Sequence, residues 1–258
     1  MRKSKVLQKL GANGFARICG LGHFMPFFVR YAAHFKYDGI WFDLEHRTMS
    51  DREVQALLAQ CHAHDIDCMV RPPTLERTRL YRYLEDGAAG FMFPFVSDAE
   101  AARHVVHAIK FPPLGNRGMD GAGLDADFGL DAFQPDSNYT EDANRETFIV
   151  AQIETPEAVA NADEIAAVPG IDFLFIGPGD MGLRLKAGRD STTLDEIVER
   201  VSEAARQHGK AWGITAGSAE RVAHYRQMGA QMVPWGGDFF LTRVLEECSK
   251  ELDEILNE

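Results

Sequence analysis

Gly39-Ile-Trp-Phe-Asp-Leu44 and Phe173-Leu-Phe-Ile-Gly177 are short, nearly unbroken apolar runs. Strands of a parallel sheet covered on both faces read this way, because neither face meets water. Working outward, comparable runs fall at 17–22, 67–71, 90–95, 148–154, 210–215 and 232–236. Helix-like amphipathic stretches separate them at 51–62, 74–86, 98–109, 155–167 and 193–208. Ser50 ahead of Asp51, and Ser97 with Glu100 three residues on, stand as N-terminal caps. Asp86-Gly87 and His208-Gly209 supply C-terminal glycines. Eight strand–helix alternations without a break in composition predict an α/β chain forming a single (β/α)8 TIM barrel over residues 1–258. Its length matches the roughly 250 residues of that fold. A doubly wound open sheet is the structural rival, but no G-x-G-x-x-G follows the first strand.

Composition narrows the function. A net charge of −12 argues against nucleic-acid partners and against anionic membrane surfaces. The four cysteines, Cys19, Cys61, Cys68 and Cys248, make neither a C-x-x-C pair nor a zinc spacing. The basic start, Met1 to Lys5, leads into a polar helix-like segment rather than an apolar signal core, so a cytoplasmic protein is expected. One long stretch, 111–146, is rich in Gly and Asp and breaks the repeat. It is expected as an elaborated β/α connection over the mouth, or at a subunit contact.

Barrels carry their chemistry at the C-terminal ends of strands. Here those ends read Asp43-Leu-Glu-His-Arg47, Val70-Arg71-Pro72, Gln152-Ile-Glu154-Thr155 and Gly177-Pro-Gly-Asp180. Gln152 and Glu154 share a strand side, and the Gly-Pro-Gly turn can bring Asp180 beside Glu154. Two carboxylates with open positions suit Mg²⁺ or Mn²⁺. Equally, Asp180 could cap a helix and Glu154 pair with an arginine. His46 near Asp43 is a candidate general base or a structural histidine. Arg71 can fork onto a substrate carboxylate, or bridge to Glu45 or Asp43. Backbone N–H groups around Gly179 can meet an anion. No lysine stands inside the barrel near a strand's C-terminal end, as a Schiff-base aldolase requires, since Lys110 follows a helix and Lys210 opens a strand.

Together these stretches, with Lys110-Phe-Pro-Pro-Leu-Gly-Asn-Arg-Gly118, resemble the HpcH/HpaI aldolases, metal-dependent pyruvate aldolases, from about Gly39 to Asp238. The resemblance implies reversible cleavage of a 4-hydroxy-2-oxo acid to pyruvate and an aldehyde, through a pyruvate enolate stabilised by Mg²⁺, Mn²⁺ or Co²⁺. Glu154 and Asp180 match the metal ligands and Gln152 a polar neighbour of the substrate. Arg71 matches the arginine on pyruvate, His46 the base and Asp43 its partner. Asp86 matches an aspartate that reaches the site across a subunit contact. A homo-hexamer, a trimer of dimers exchanging the last helix (241–256), is implied as well. Arg47, Gly179, Met181-Gly182 and the stretch Gly20-Leu-Gly-His23 depart from the family pattern, and they put the aldehyde side in question. Two other readings stay open: a carbon–carbon lyase or synthase on a CoA thioester or pyrone, and a silent barrel that binds oxo acids.

Overall fold

The structure is a computed structural model that describes residues 1–130, 132–189 and 191–256. Seven strands form one parallel sheet in sequential order. They are β1 (Ile18–Leu21), β2 (Gly39–Asp43), β3 (Asp67–Arg71), β4 (Gly90–Phe93), β5 (Phe148–Ile153), β6 (Phe173–Ile176) and β7 (Ala211–Ile214). Every neighbouring pair is parallel, so each connection must cross over, and helices do this. The crossovers carry α2 (Pro26–His34), α3 (Asp51–Ala63), α4 (Arg77–Glu85), α5 (Ala99–Ile109), α6 (Tyr139–Glu146), α7 (Pro156–Ala160), α8 (Ala162–Ala166), α9 (Pro178–Gly188) and α10 (Leu194–Gln207). Before β1 comes α1 (Lys5–Gly11), and after β7 come α11 (Ala219–Gln227) and α12 (Leu241–Leu256). Among the described residues no helix is long and apolar enough to cross a membrane.

The eighth expected strand is a correction. Residues 232–236 form no strand, only isolated bridges from Met232 to Ala16 and Gly213 and from Gly237 to Gly20. Pro234 has no N–H to donate. Gly236 and Gly237 turn to φ +91° and +143°, which ends extended pairing. The segment still bonds both edges of the sheet: Gly20 N–H donates to Gly236 O, Trp235 N–H to Ile18 O and Ile214 N–H to Met232 O.

Period-two alternation divides the buried residues into two cores. Ile40, Phe42, Val70, Phe91, Phe93, Ile153, Leu174, Ile176 and Ile214 face the helices. On the other side Ile18, Met69, Met92, Phe148, Val150, Phe173, Phe175 and Met232 fill the inside of the curl, with Val6 of α1 against them. The same parity carries Asp43, Arg71 and Gln152 to the inner face, one step beyond the apolar layers.

Three local expectations change. Asp98, not Ser97, caps α5, its carboxylate accepting from Ala101 N–H. The expected helix 155–167 divides at Asn161, whose Nδ2 donates to Ser97 O. The 111–146 segment is not a β/α connection: it runs from the end of α5 to the start of β5, and both its ends adjoin the N-terminal side of the sheet. It is tied there by Lys110 Nζ, which donates to the carbonyls of Asn144 (2.6 Å) and Thr147.

Candidate active site

The chemistry collects at the C-terminal ends of β2, β3, β5 and β6. Arg71, the last residue of β3, is buried and stands 4.9 Å from the Trp41 ring centroid. Its Nε donates to Asp43 Oδ1 (3.0 Å) and its Nη2 lies 2.9 Å from Asp43 Oδ2, a bidentate pair. Nε also lies 3.2 Å from Glu45 Oε2. The guanidinium is thus fixed from two sides, and among the described residues its Nη1 has no partner. Burial raises the Asp43 carboxyl, but the bonds from Arg71 outweigh that and hold it below its ordinary value.

Asp43 was expected to orient the His46 ring, and the structure corrects this. Asp43 Oδ1 accepts the backbone N–H groups of Glu45 and His46 (3.2 Å each), which turns the chain off the strand. The imidazole itself stands beside Glu45, Nε2 to Oε2 3.5 Å, and is half-exposed.

Glu154, just past β5, is 2% exposed. It pairs with no arginine among the described residues. Oε1 accepts from Phe95 N–H (2.8 Å) and Oε2 from Gln152 Nε2 (2.7 Å). Burial above all, then the nearby Asp180 and Glu45 carboxylates, push its carboxyl up to about 7, against the opposing Phe95 N–H and Arg71. Gln152 Oε1 is buried and has no hydrogen-bond partner among the described residues. Gly177 makes the pair possible: a Cβ there would stand 2.8 Å from both Gln152 Nε2 and Glu154 Oε2.

Asp180 is the third residue of α9 and does not cap it; Gly177 holds that position. Its Oδ1 takes Arg184 Nη1 at 2.7 Å. Above Gly179 nothing lies within 4 Å of where a Cβ would stand, so the approach to the start of α9 is open. Asp86 is not brought to this site within the chain. It ends α4, on the side from which β4 starts, and accepts from Gln55 Nε2 (2.7 Å).

The residues fit a divalent cation. A buried carboxylate raised by two neighbouring carboxylates, next to an orphaned amide oxygen, lacks a positive charge and a donor at one place. Among the described residues no three His, Cys, Asp or Glu side chains form a closed cage, so substrate and water would complete the coordination. A cavity of about 580 Å³ lies at the end opposite the mouth, lined by Leu7, Asp172, Lys210 and Trp212.

Sequence reading missed Glu45 as the neighbour of His46, and it missed Gly177 and Asp238. Asp238 is buried beyond the 231–237 segment and accepts from Gly22 N–H (2.9 Å), with His23 Nδ1 at 2.6 Å. The turn glycine in Gly177-Pro-Gly-Asp180 was the available signal for Gly177; nothing in the spacing signalled Asp238.

Comparison with known proteins bears on the family and the fold. The model of the HpcH/HpaI aldolase/citrate lyase family matches residues 21–243. A hydroxypyruvate/pyruvate aldolase of Delftia acidovorans is 34% identical over 227 residues, covering 86% of this chain and 82% of the relative. A 2-dehydro-3,6-dideoxy-6-sulfogluconate aldolase of Pseudomonas putida is 33% identical over 75% of this chain and 74% of its own. The crystal structure of an HpcH/HpaI aldolase from Desulfitobacterium hafniense superimposes with a TM-score of 0.84 at 32% identity, covering 96% of this chain and 95% of that one.

Proposed function

The chain belongs to the HpcH/HpaI aldolase/citrate lyase family, and from that premise we infer that the Glu154 site performs pyruvate-type aldol cleavage with a divalent cation held by Glu154 and Asp180. The enzyme is a carbon–carbon lyase that splits a 4-hydroxy-2-oxo acid into pyruvate and an aldehyde, and runs the reverse addition. The observation that carries the metal is the Glu154 carboxyl, raised to about 7 beside the partnerless Gln152 Oε1. When bound, Mg²⁺, Mn²⁺ or Co²⁺ supplies Lewis-acid polarisation of the oxo acid.

The chain's own residues do the rest. Arg71, fixed by Asp43 and Glu45, offers Nη1 to the oxo acid and meets the negative charge left on the three-carbon fragment when the C3–C4 bond breaks. His46 takes the proton of the C4 hydroxyl as that carbon becomes the aldehyde, and Glu45 stabilises the imidazolium. Gln152 directs its free amide oxygen to a donor at the same centre. The open N-terminus of α9 at Gly179 receives the substrate carboxylate.

Residues 231–237 serve as the eighth stave of a TIM barrel. The molecule works as an oligomer, a hexamer built from dimers that exchange α12, in which Asp86 reaches a neighbouring mouth. Two features support this reading: α12 buries none of its residues in the single chain, and Asp86 lies away from its own mouth.

Glu154→Gln tests the site. Wild type with Mn²⁺ exchanges the methyl hydrogens of pyruvate for solvent deuterium, and the variant loses exchange by at least about a hundredfold. Undiminished exchange in the variant after chelation sinks the assignment.

A further inference from the structure

Arg47 is a cation at the mouth that the reaction described above does not use. It follows His46, whose carbonyl accepts from its Nη1 at 2.8 Å, and its guanidinium stands 4.7 Å from the Phe239 ring centroid. Its stem fills the space over Gly22, where a Cβ would meet Arg47 Cγ at 2.8 Å. Among the described residues no carboxylate lies within ion-pair distance of it. Yet it is only partly exposed, and it sits at a rim that already holds Asp43, Glu45, Glu154 and Asp180.

Its support is built from three chain segments. Asp238 accepts the N–H groups of Gly22 (2.9 Å) and Phe239 (3.1 Å) and holds His23 Nδ1 at 2.6 Å. One buried carboxylate therefore ties the end of β1, the backbone of Phe239 and the His23 imidazole, whose ring stands 5.7 Å from the Phe239 ring. A guanidinium seated on an aromatic face, with Nη1 on a backbone carbonyl and no carboxylate partner among the described residues, keeps its remaining N–H groups for an oxyanion.

We propose that Arg47 determines specificity on the aldehyde side of the pocket by binding a terminal oxyanion, carboxylate or sulfonate, on the aldehyde that the reaction releases or takes up. The proposal rests on the pyruvate-aldolase reading. Glu45 touches Arg71, and the two residues from Glu45 to Arg47 extend at most about 7 Å, so the anchor suits a short tail. The rim carboxylates would repel such a tail, and Arg71 and Arg184 are each paired with a carboxylate, which leaves Arg47 as the arginine without one.

The experiment compares kcat/KM in the addition direction, with pyruvate and Mn²⁺, for succinic semialdehyde against its methyl ester and for sulfoacetaldehyde against propanal. Wild type favours the charged member of at least one pair by about ten- to a hundredfold, the usual worth of a charged hydrogen bond; the pair that shows it identifies the oxyanion. In Arg47→Gln that ratio falls to near one, mainly through KM, and Arg47→Lys recovers part of it. Because each ratio is taken within one protein preparation, a folding defect lowers both members alike and leaves the ratio intact. No charge preference in wild type, or a preference that survives Arg47→Gln, overturns the proposal alone if wild type still exchanges pyruvate hydrogens with solvent. Absence of that exchange in wild type overturns the pyruvate reading and this proposal with it.

Discussion

Gly177 decides whether Glu154 and Gln152 can share one corner of the mouth. A methyl group there would also stand 3.0 Å from Glu154 Cβ, which is not a flexible chain end and has to be displaced. Gly177→Ala is expected to cost about 1–3 kcal/mol by overpacking and to cut kcat/KM more than about tenfold by moving the ligand pair. Chemical denaturation and the pyruvate exchange assay read the two effects, and an unaffected exchange rate would show that Glu154 tolerates displacement. The Glu154 carboxyl gives a pH test with a definite sign. Its folded value of about 7 lies above the ordinary 4.5, so between those values the folded state binds more protons than the unfolded. Stability of the metal-free protein therefore falls as pH rises through that window and levels off above it. Mn²⁺ needs the ionised carboxylate, so its stabilising effect in thermal melts grows from pH 5 to pH 8. Equal Mn²⁺ stabilisation at both pH values contradicts the ligand role. Strand alternation explains why Asp43, Arg71, Gln152 and Glu154 were legible as a set. Glu45 was legible as a bridge to Arg71 but not as the neighbour of His46, because the backbone leaves the strand after Asp43 and strand parity stops assigning side-chain directions there.

Elements with local signals were easy to read, and elements governed by distant contacts were not. Ser50 caps α3 as expected, and Glu53 closes a capping box with it from the other side. Residues 232–236 look like a strand in composition but are limited by Pro234 and two left-handed glycines. The 111–146 segment was expected as a β/α connection and is an α/β one, because its anchors lie far apart in sequence and only the fold brings them together. Its centre is a buried pair, Arg117 Nη2 to Asp125 Oδ2 at 2.7 Å, with Tyr139 Oη donating to the same oxygen at 2.7 Å. Burial above all, and then Asp125, raise the Tyr139 phenol against the pull of Arg117. Asp125→Ala leaves a buried guanidinium without its counter-charge and is expected to cost about 3 kcal/mol or more. Urea denaturation measures it. A loss below about 1 kcal/mol would mean that the segment relaxes and lets Arg117 reach water.

At the scale of the molecule, the single chain leaves apolar surface uncovered at its C-terminal end. Leu241, Val244, Leu245, Leu252, Ile255 and Leu256 are all exposed, at positions that fall along one stripe of α12. On α2, Phe27 and Tyr31 are also exposed, their ring centroids 5.5 Å apart. A stripe of this length facing water is costly, and a second copy that takes up the helix removes it. Light scattering is therefore expected to show an oligomer for wild type and a smaller species for a Leu245→Asp, Leu252→Asp double variant. Activity follows assembly if Asp86 completes a neighbouring mouth, so the dissociated variant should lose turnover. Asp86→Asn should lose turnover too while remaining assembled, which separates the two roles: a wild-type monomer with full turnover removes the exchange, and an active, assembled Asp86→Asn protein removes the aspartate from the site.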